Sequence, residues 1–334
     1  MATPNPDEIE DDAARGAGTV RARLVRTLSR PRTALGVTMG PGTVWIAGLL
    51  VAPLVFMLAV SFTTTNLTDY NIIWEPTLAR FRELLGGSVD AGLLDGGSVV
   101  LLEVGSFQLR ATAFEKAILL SYAIATVTTL LCLALAFPLA YLLARRSGPL
   151  VKATIFLMLL PFFTMYLVRA YSWVLMFGSK GVINSALGAV GVGPLEVFNY
   201  GVPATIVGLT HAYYPYMLLT LYASMDGLDF SLVEAARDLG ASRIDVIRDQ
   251  IIPLTMPGIV GGSLFVFVPS VGAFITPQIL GQGKVQMVGI LIERWVYESR
   301  LSLASAGSMF VVVSIVAAMV LAFRYVELDE LGGA

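Results

Sequence analysis

Arg169 places a permanently charged guanidinium inside the apolar stretch 150–177, where a charge is costly unless it meets a cavity, a carboxylate or backbone carbonyls. Two roles satisfy that constraint. Arg169 is either a gate or pathway residue, or a side chain that reaches the outer interface and fastens helix ends. Near it and on the next apolar stretch stand Tyr166, Tyr171, Trp173, Tyr213 and Tyr214, and Phe274 completes this candidate pathway set. Aromatic faces attract an ammonium group at about 0.5–2 kcal/mol each. The same rings are equally accounted for as packing or as an interfacial belt, and an arginine lining the route is unhelpful to a polycation. The single histidine, His211, is a proton carrier or a hydrogen-bonded packing residue. The single cysteine, Cys132, lies in an apolar run, so neither a disulfide framework nor a metal cluster is expected. The apolar stretches hold no nucleophile with its base and no inner carboxylate pair, so bond-making catalysis has no carrier. They also lack the ionisable relays of an ion-gradient-driven carrier.

The elements that hold these residues are membrane helices. Of 334 residues, 56% are hydrophobic and 14% charged, far from the roughly 25% charged of a soluble domain. Six stretches approach the roughly 20 residues that cross a bilayer as a helix: 43–62, 114–143, 150–177, 202–225, 252–275 and 303–323. Pro138, Pro161, Pro203, Pro215 and Pro269 are expected to bend or end helices. The expected fold class is therefore all-α, a polytopic membrane protein of about six transmembrane helices. Residues 1–42 read as an acidic disordered tail followed by a basic interfacial elbow, 43–325 as the membrane domain and 326–334 as a cytoplasmic tail. Within the domain, 64–112 form an outer loop and 227–251 a cytoplasmic loop. With the amino terminus inside, thirteen Lys and Arg face the cytoplasm against eight outside, so both termini are expected to be cytoplasmic. A net charge of −2 with dispersed basic residues excludes a nucleic-acid partner.

The loop 227–251 has a readable local plan. Ser231 and Glu234 have the spacing of a capping box, Gly240 suits the left-handed residue that ends a helix, and Ser242 with Asp245 makes a second start. Pro253 closes the following stretch. A short helix, a turn and a second helix result, with Ala235 and Ala236 small enough for another protein's surface to pack closely.

Glu234, Ala235 and Ala236, then Gly240 and Ile252 with Pro253, resemble the EAA loop of ABC-importer permeases. Gln250 and Ile252 depart from the isoleucine and leucine of that pattern. The stretches 160–163, 167–173, 221–225, 253–259 and 274–277, the last leading into 280–283, look like spermidine/putrescine-type permeases, and the likeness covers about 110–325. The resemblance implies type I ABC-importer architecture in the bacterial inner membrane. Its coupling residues fall on Ser231, Glu234, Ala235, Ala236, Arg237, Gly240, Ser242 and Pro253. It further implies two ATPase subunits, a second permease that is a related but different chain, and an extracytoplasmic solute-binding protein. The chain has no Gly-rich phosphate loop ending in Lys and Ser or Thr, so ATP and magnesium belong to the partner ATPases and no cofactor is expected on this chain. The solute implied is a polyamine, with another small organic solute or ion as the alternative.

Overall fold

The computed structural model describes residues 31–66, 71–85, 99–104, 107–192, 195 and 199–332. The expected acidic tail 1–16 and most of the interfacial elbow lie outside these residues. Two compact units are separable, 1–59 and 60–334.

The first unit is represented by helix α1, Pro31–Ser61, whose last two residues fall in the second. The expected boundary between elbow and span near residue 42 is not a break, since the helix runs through it. Its stretch Val44–Ser61 has a mean hydropathy of 2.4, enough to cross a membrane.

The second unit opens with two small antiparallel pairs in the expected outer loop, whose structure the sequence left open. β1 (Thr64–Thr65) pairs with β2 (Ile72–Ile73), and β3 (Val99–Val104) with β4 (Phe107–Ala111) across an irregularity between Val100 and Leu102. The short helix α2, Ala79–Leu84, lies between the pairs. Hydroxyls tie this loop to the last helix: Ser302 Oγ meets Thr63 Oγ1 at 2.9 Å and accepts from Thr65 Oγ1 at 2.8 Å. Buried hydroxyls that satisfy one another remove the cost of burying them singly.

Helix α3, Ala113–Ala144, starts on a complete capping box: Glu115 N–H donates to Thr112 Oγ1 at 3.1 Å and Thr112 N–H to Glu115 Oε2 at 2.8 Å. The expected span 150–177 is broken. α4, Pro149–Leu159, passes through a 3₁₀ turn at Leu160–Phe163 into α5, Tyr166–Met176, with a 96° bend. Pro161 lacks the N–H that would continue the ladder. α6, Val182–Ala189, precedes α7, Val202–Asp226, which follows the expected span closely. At 25 residues α7 extends about 37 Å, but it is not among the helices apolar enough to pass as a span on composition. Its buried side, Ala204, Gly208, Ala212, Leu218 and Leu221 among others, meets protein rather than lipid.

The expected span 252–275 is also divided. α8 (Phe230–Asp238) and α9 (Arg243–Val246) lead through a π-helical turn at Ile247–Ile251 into α10 (Ile252–Leu254) and then, across a 72° bend, α11 (Met256–Val271). α12, Ile275–Gly281, is a separate helix beyond it, followed by α13, Val288–Tyr297, and α14, Leu301–Gly332. α14 continues past residue 325, where a tail was expected, and its stretch Leu301–Leu321 has a mean hydropathy of 2.2. Among the described residues three helices are long and apolar enough to cross a membrane, and five if each bent pair is one span.

At the centre α3, α7 and α11 pack on one another. Cys132, Ala136 and Ala140 of α3 meet Met217, Leu218, Leu221 and Met225 of α7, with Val266 of α11 in the same cluster. Small residues let the backbones approach. At Gly258 any Cβ would strike the Ser224 side chain, and at Gly262 it would lie 2.8 Å from Met217 Sδ. Phe114 and Ala117 of α3 join Trp295 of α13 and Leu303 of α14 in a second cluster.

Candidate coupling loop and pathway cleft

The loop after α7 forms the expected helix, turn and helix, with one correction. Ser231 is not the cap and makes no capping box with Glu234. Asp229 caps α8 instead, its Oδ1 accepting from Ser231 N–H at 3.0 Å. The carboxylate two residues upstream reaches the free N–H first, so α8 begins at Phe230. Its end matches expectation: Gly240 stands at φ +93°, Gly240 N–H donates to Arg237 O at 2.9 Å and Ala241 N–H to Ala236 O at 3.1 Å. Ser242 and Asp245 make the second capping box as read.

Both capping carboxyls are held below the usual range. For Asp229 the cause is its bonds to Ser231, backbone first. For Asp245 it is its bonds to Ser242, side chain first, with Arg248 adding a smaller part. Anchorage and display are divided along the loop. Val233 and Val246 are buried, and Ala236 packs on the central cluster with them. Glu234, Ala235, Arg237, Gly240, Ser242 and Pro253 are exposed, as is Ser231. The sequence reading missed two apolar side chains beside the turn, Leu239 at 90% exposure and Ile244 at 75%. It also missed a clamp on α8: Phe230 meets Tyr141 edge-on at 6.1 Å, and the Arg145 guanidinium lies 5.6 Å from the Tyr141 ring and 5.9 Å from that of Phe230. The end of α3 is thereby fastened to α8.

The second site is a narrow, half-open cleft between α5, α7 and α12, with free room for about one water molecule. It is lined by Tyr166, Arg169, Ala170 and Trp173 from α5, Gly208, His211 and Ala212 from α7, and Thr276 and Leu280 from α12. The break before α5 aims Arg169 back at the turn. Its Nη1 donates to Pro161 O at 3.0 Å, and its Cζ lies 5.9 Å from the Phe162 ring and 5.4 Å from that of Tyr166. Among the described residues no ion pair engages it. Arg169 therefore faces a carbonyl and two rings. The hydroxyls of Tyr166 and Thr276 share a hydrogen bond that ties α5 to α12.

Trp173 stacks on Phe177 at 5.3 Å and meets His211 in a T-shaped contact at 5.4 Å. The buried Nδ1 of His211 has no hydrogen-bond partner among the described residues, while its ring packs on Trp173.

Of the seven pathway candidates, the cleft brings together Tyr166, Arg169 and Trp173. Tyr213 stands outside the lining, its hydroxyl 3.4 Å from Pro269 O and its ring 6.4 Å from Tyr216. Tyr214 packs against the central cluster. Tyr171, 58% exposed, and Phe274, 39% exposed, do not line the cleft. One face of α5 cannot carry Tyr166, Arg169, Trp173 and Tyr171 together, because Tyr171 lies two residues from its neighbours at 100° per residue.

A family model described as binding-protein-dependent transport system inner membrane component matches residues 133–328. The spermidine/putrescine transport system permease protein PotB of Escherichia coli strain K12 is 37% identical over 182 residues, 54% of this chain and 66% of that protein. The PotB of Haemophilus influenzae is 37% identical over 175 residues, 52% of this chain and 61% of that protein. The matched stretch thus spans less than two thirds of the length of these curated relatives. A crystal structure of a bacterial alginate ABC transporter in complex with an alginate pentasaccharide-bound periplasmic protein holds a chain of the same fold. It superposes with a TM-score of 0.61 at 18% identity, over 90% of this chain and 96% of that one.

Proposed function

The chain belongs to the family of binding-protein-dependent transport system inner membrane components, and from that premise we propose that it is the permease subunit of an ABC importer that carries a polyamine such as spermidine or putrescine across the bacterial inner membrane. It is a multi-pass membrane protein and a transporter subunit rather than an enzyme. Its partners in this reading are two ATPase subunits, which hold ATP and magnesium, a second permease chain and an extracytoplasmic solute-binding protein. Both termini face the cytoplasm. The coupling residues are Ser231, Glu234, Ala235, Ala236, Arg237, Gly240, Ser242 and Pro253, and the pathway residues are Tyr166, Arg169 and Trp173.

The observation that carries the proposal is the anchored but displayed helix α8. Glu234, Ala235 and Arg237 stand free on its outer side while Val233 and Ala236 join the cluster that contains Met225 of α7 and Cys132 of α3. A push on α8 is delivered to close-packed helices, and packed interiors transmit displacement rather than absorb it. α7 carries the displacement. From Met225 to His211 it runs roughly 20 Å, so one rod joins the coupling segment to the cleft. Transport requires two states with different access and a bias between them, and the bent pairs at 160–165 and at Thr255 supply places where helices change angle.

The polyamine reading is supported by the PotB relatives and by the aromatic character of the cleft. A second reading, a solute that bears an anionic group, is favoured by Arg169 in the same cleft, which no ion pair among the described residues engages. The test uses the four kinds of subunit reconstituted in vesicles with labelled putrescine and spermidine. Uptake is expected only with ATP, and Glu234→Arg is expected to cut uptake at least tenfold while the ATPases continue to turn over. Uptake driven by a proton or sodium gradient without ATP contradicts the importer. Failure of both polyamines to displace the solute held by the binding protein contradicts the substrate.

A further inference from the structure

We propose that the carbonyl of Pro161 with the rings of Phe162 and Tyr166 is an alkylammonium subsite on the pathway, and that Arg169 is its resident occupant, closing the cleft to cations until a transported amine takes its place. This rests on the polyamine reading. An ammonium group in a low-dielectric site needs a hydrogen-bond acceptor and electron-rich faces, and these are the three groups that surround the Arg169 guanidinium, with Pro161 O at 3.0 Å and ring centroids at 5.9 and 5.4 Å. The chain leaves helical geometry there: Thr164 is extended, and within the turn Pro161 O accepts from Thr164 N–H at 3.2 Å and from Thr164 Oγ1 at 2.7 Å. Arg169 thus shares a carbonyl that the turn also uses, and a displacing ammonium takes over only the bond that Arg169 makes.

Among the described residues no carboxylate pairs with this positive charge, so a second cation approaching the cleft is repelled. A solute whose ammonium displaces the guanidinium from the same three groups exchanges one cation for another, with little net change in charge at the site. Arg169 thereby becomes compatible with a polycationic solute, and the arginine that favours an anionic one is reassigned to guarding the route. Fixed arginines that exclude cations from pores use the same electrostatics.

The measurement is passive flux through the complete transporter in vesicles without ATP or binding protein, with putrescine as the cationic probe and erythritol as a neutral one. Arg169→Met is expected to raise putrescine flux at least tenfold and leave erythritol unchanged, and Arg169→Lys is expected to stay near wild type because it keeps the charge. ATP turnover of the same vesicles reports assembly. If Arg169→Met does not assemble, Phe162→Leu, which removes one of the two rings, is read in the same way with a smaller rise. An equal rise for both probes means that the helix break has loosened and overturns the proposal. No rise for putrescine overturns it as well. ATP-driven uptake by the wild type is scored separately, so failure of the importer reading and failure of this subsite are distinguishable.

Discussion

At Gly240 the backbone stands at φ +93° with nothing within 4 Å of where a Cβ would lie, so a side chain there costs backbone strain and little else. Left-handed geometry costs a non-glycine residue about 1 kcal/mol. Gly240→Ala is therefore expected to speed hydrogen exchange of the amides between 235 and 245 by about fivefold while the membrane helices keep their protection. Equal exchange in both proteins contradicts the role given to this residue. Gly240 was legible because a glycine after a helical run has one common use, and the Ser242–Asp245 cap because its three-residue spacing is local. The Ser231–Glu234 pair has the same spacing and failed, because Asp229 competes for the same N–H. The position of Arg169 was not legible. Its partners are set by a 96° bend that the sequence marks only as a proline.

Between elements, the approach of α7 and α11 is decided by residues with no side chain. A Cβ at Gly258 would meet the Ser224 side chain and, at 3.2 Å, the Thr220 carbonyl, and backbone cannot yield as a flexible side chain can. Gly258→Ala should destabilise the detergent-solubilised permease by about 1–3 kcal/mol, measured as a lower thermal midpoint, while Gly188→Ala, with open space around it, should not. Equal midpoints contradict the close packing of these helices.

The helices themselves were largely legible from apolar length, and α3 and α7 fall within a residue or two of their expected ends. The breaks were legible only as prolines. A proline marks where a ladder fails, whereas the angle taken there depends on distant partners such as the Thr276 hydroxyl that holds Tyr166. The strands between 64 and 111 carry no long alternating pattern, since β1 and β2 hold two residues each.

Across the molecule, family membership and the apolar helices, three long enough to cross a membrane among the described residues and five with the bent pairs, agree on a multi-pass membrane permease. The sequence exposed the helix, turn and helix of 230–246, because the glycine, cap and alanines lie close together in the chain. It hid the apolar display of Leu239 and Ile244, which depends on which side of the turn meets the core. The central claim is that α8 is the joint through which separate ATPase subunits move this chain. Cys132 is the single native cysteine and is buried, so a reporter thiol at the exposed Ala235 can be placed in a Cys132→Ser background. The decisive measurement is disulfide cross-linking of Ala235→Cys to single cysteines on the ATPase surface, in intact membranes, with and without nucleotide. The account predicts a cross-link formed from the cytoplasmic side, with a yield that changes on nucleotide binding. Labelling of that thiol only from the outer face, or no cross-link to any ATPase subunit, would contradict it.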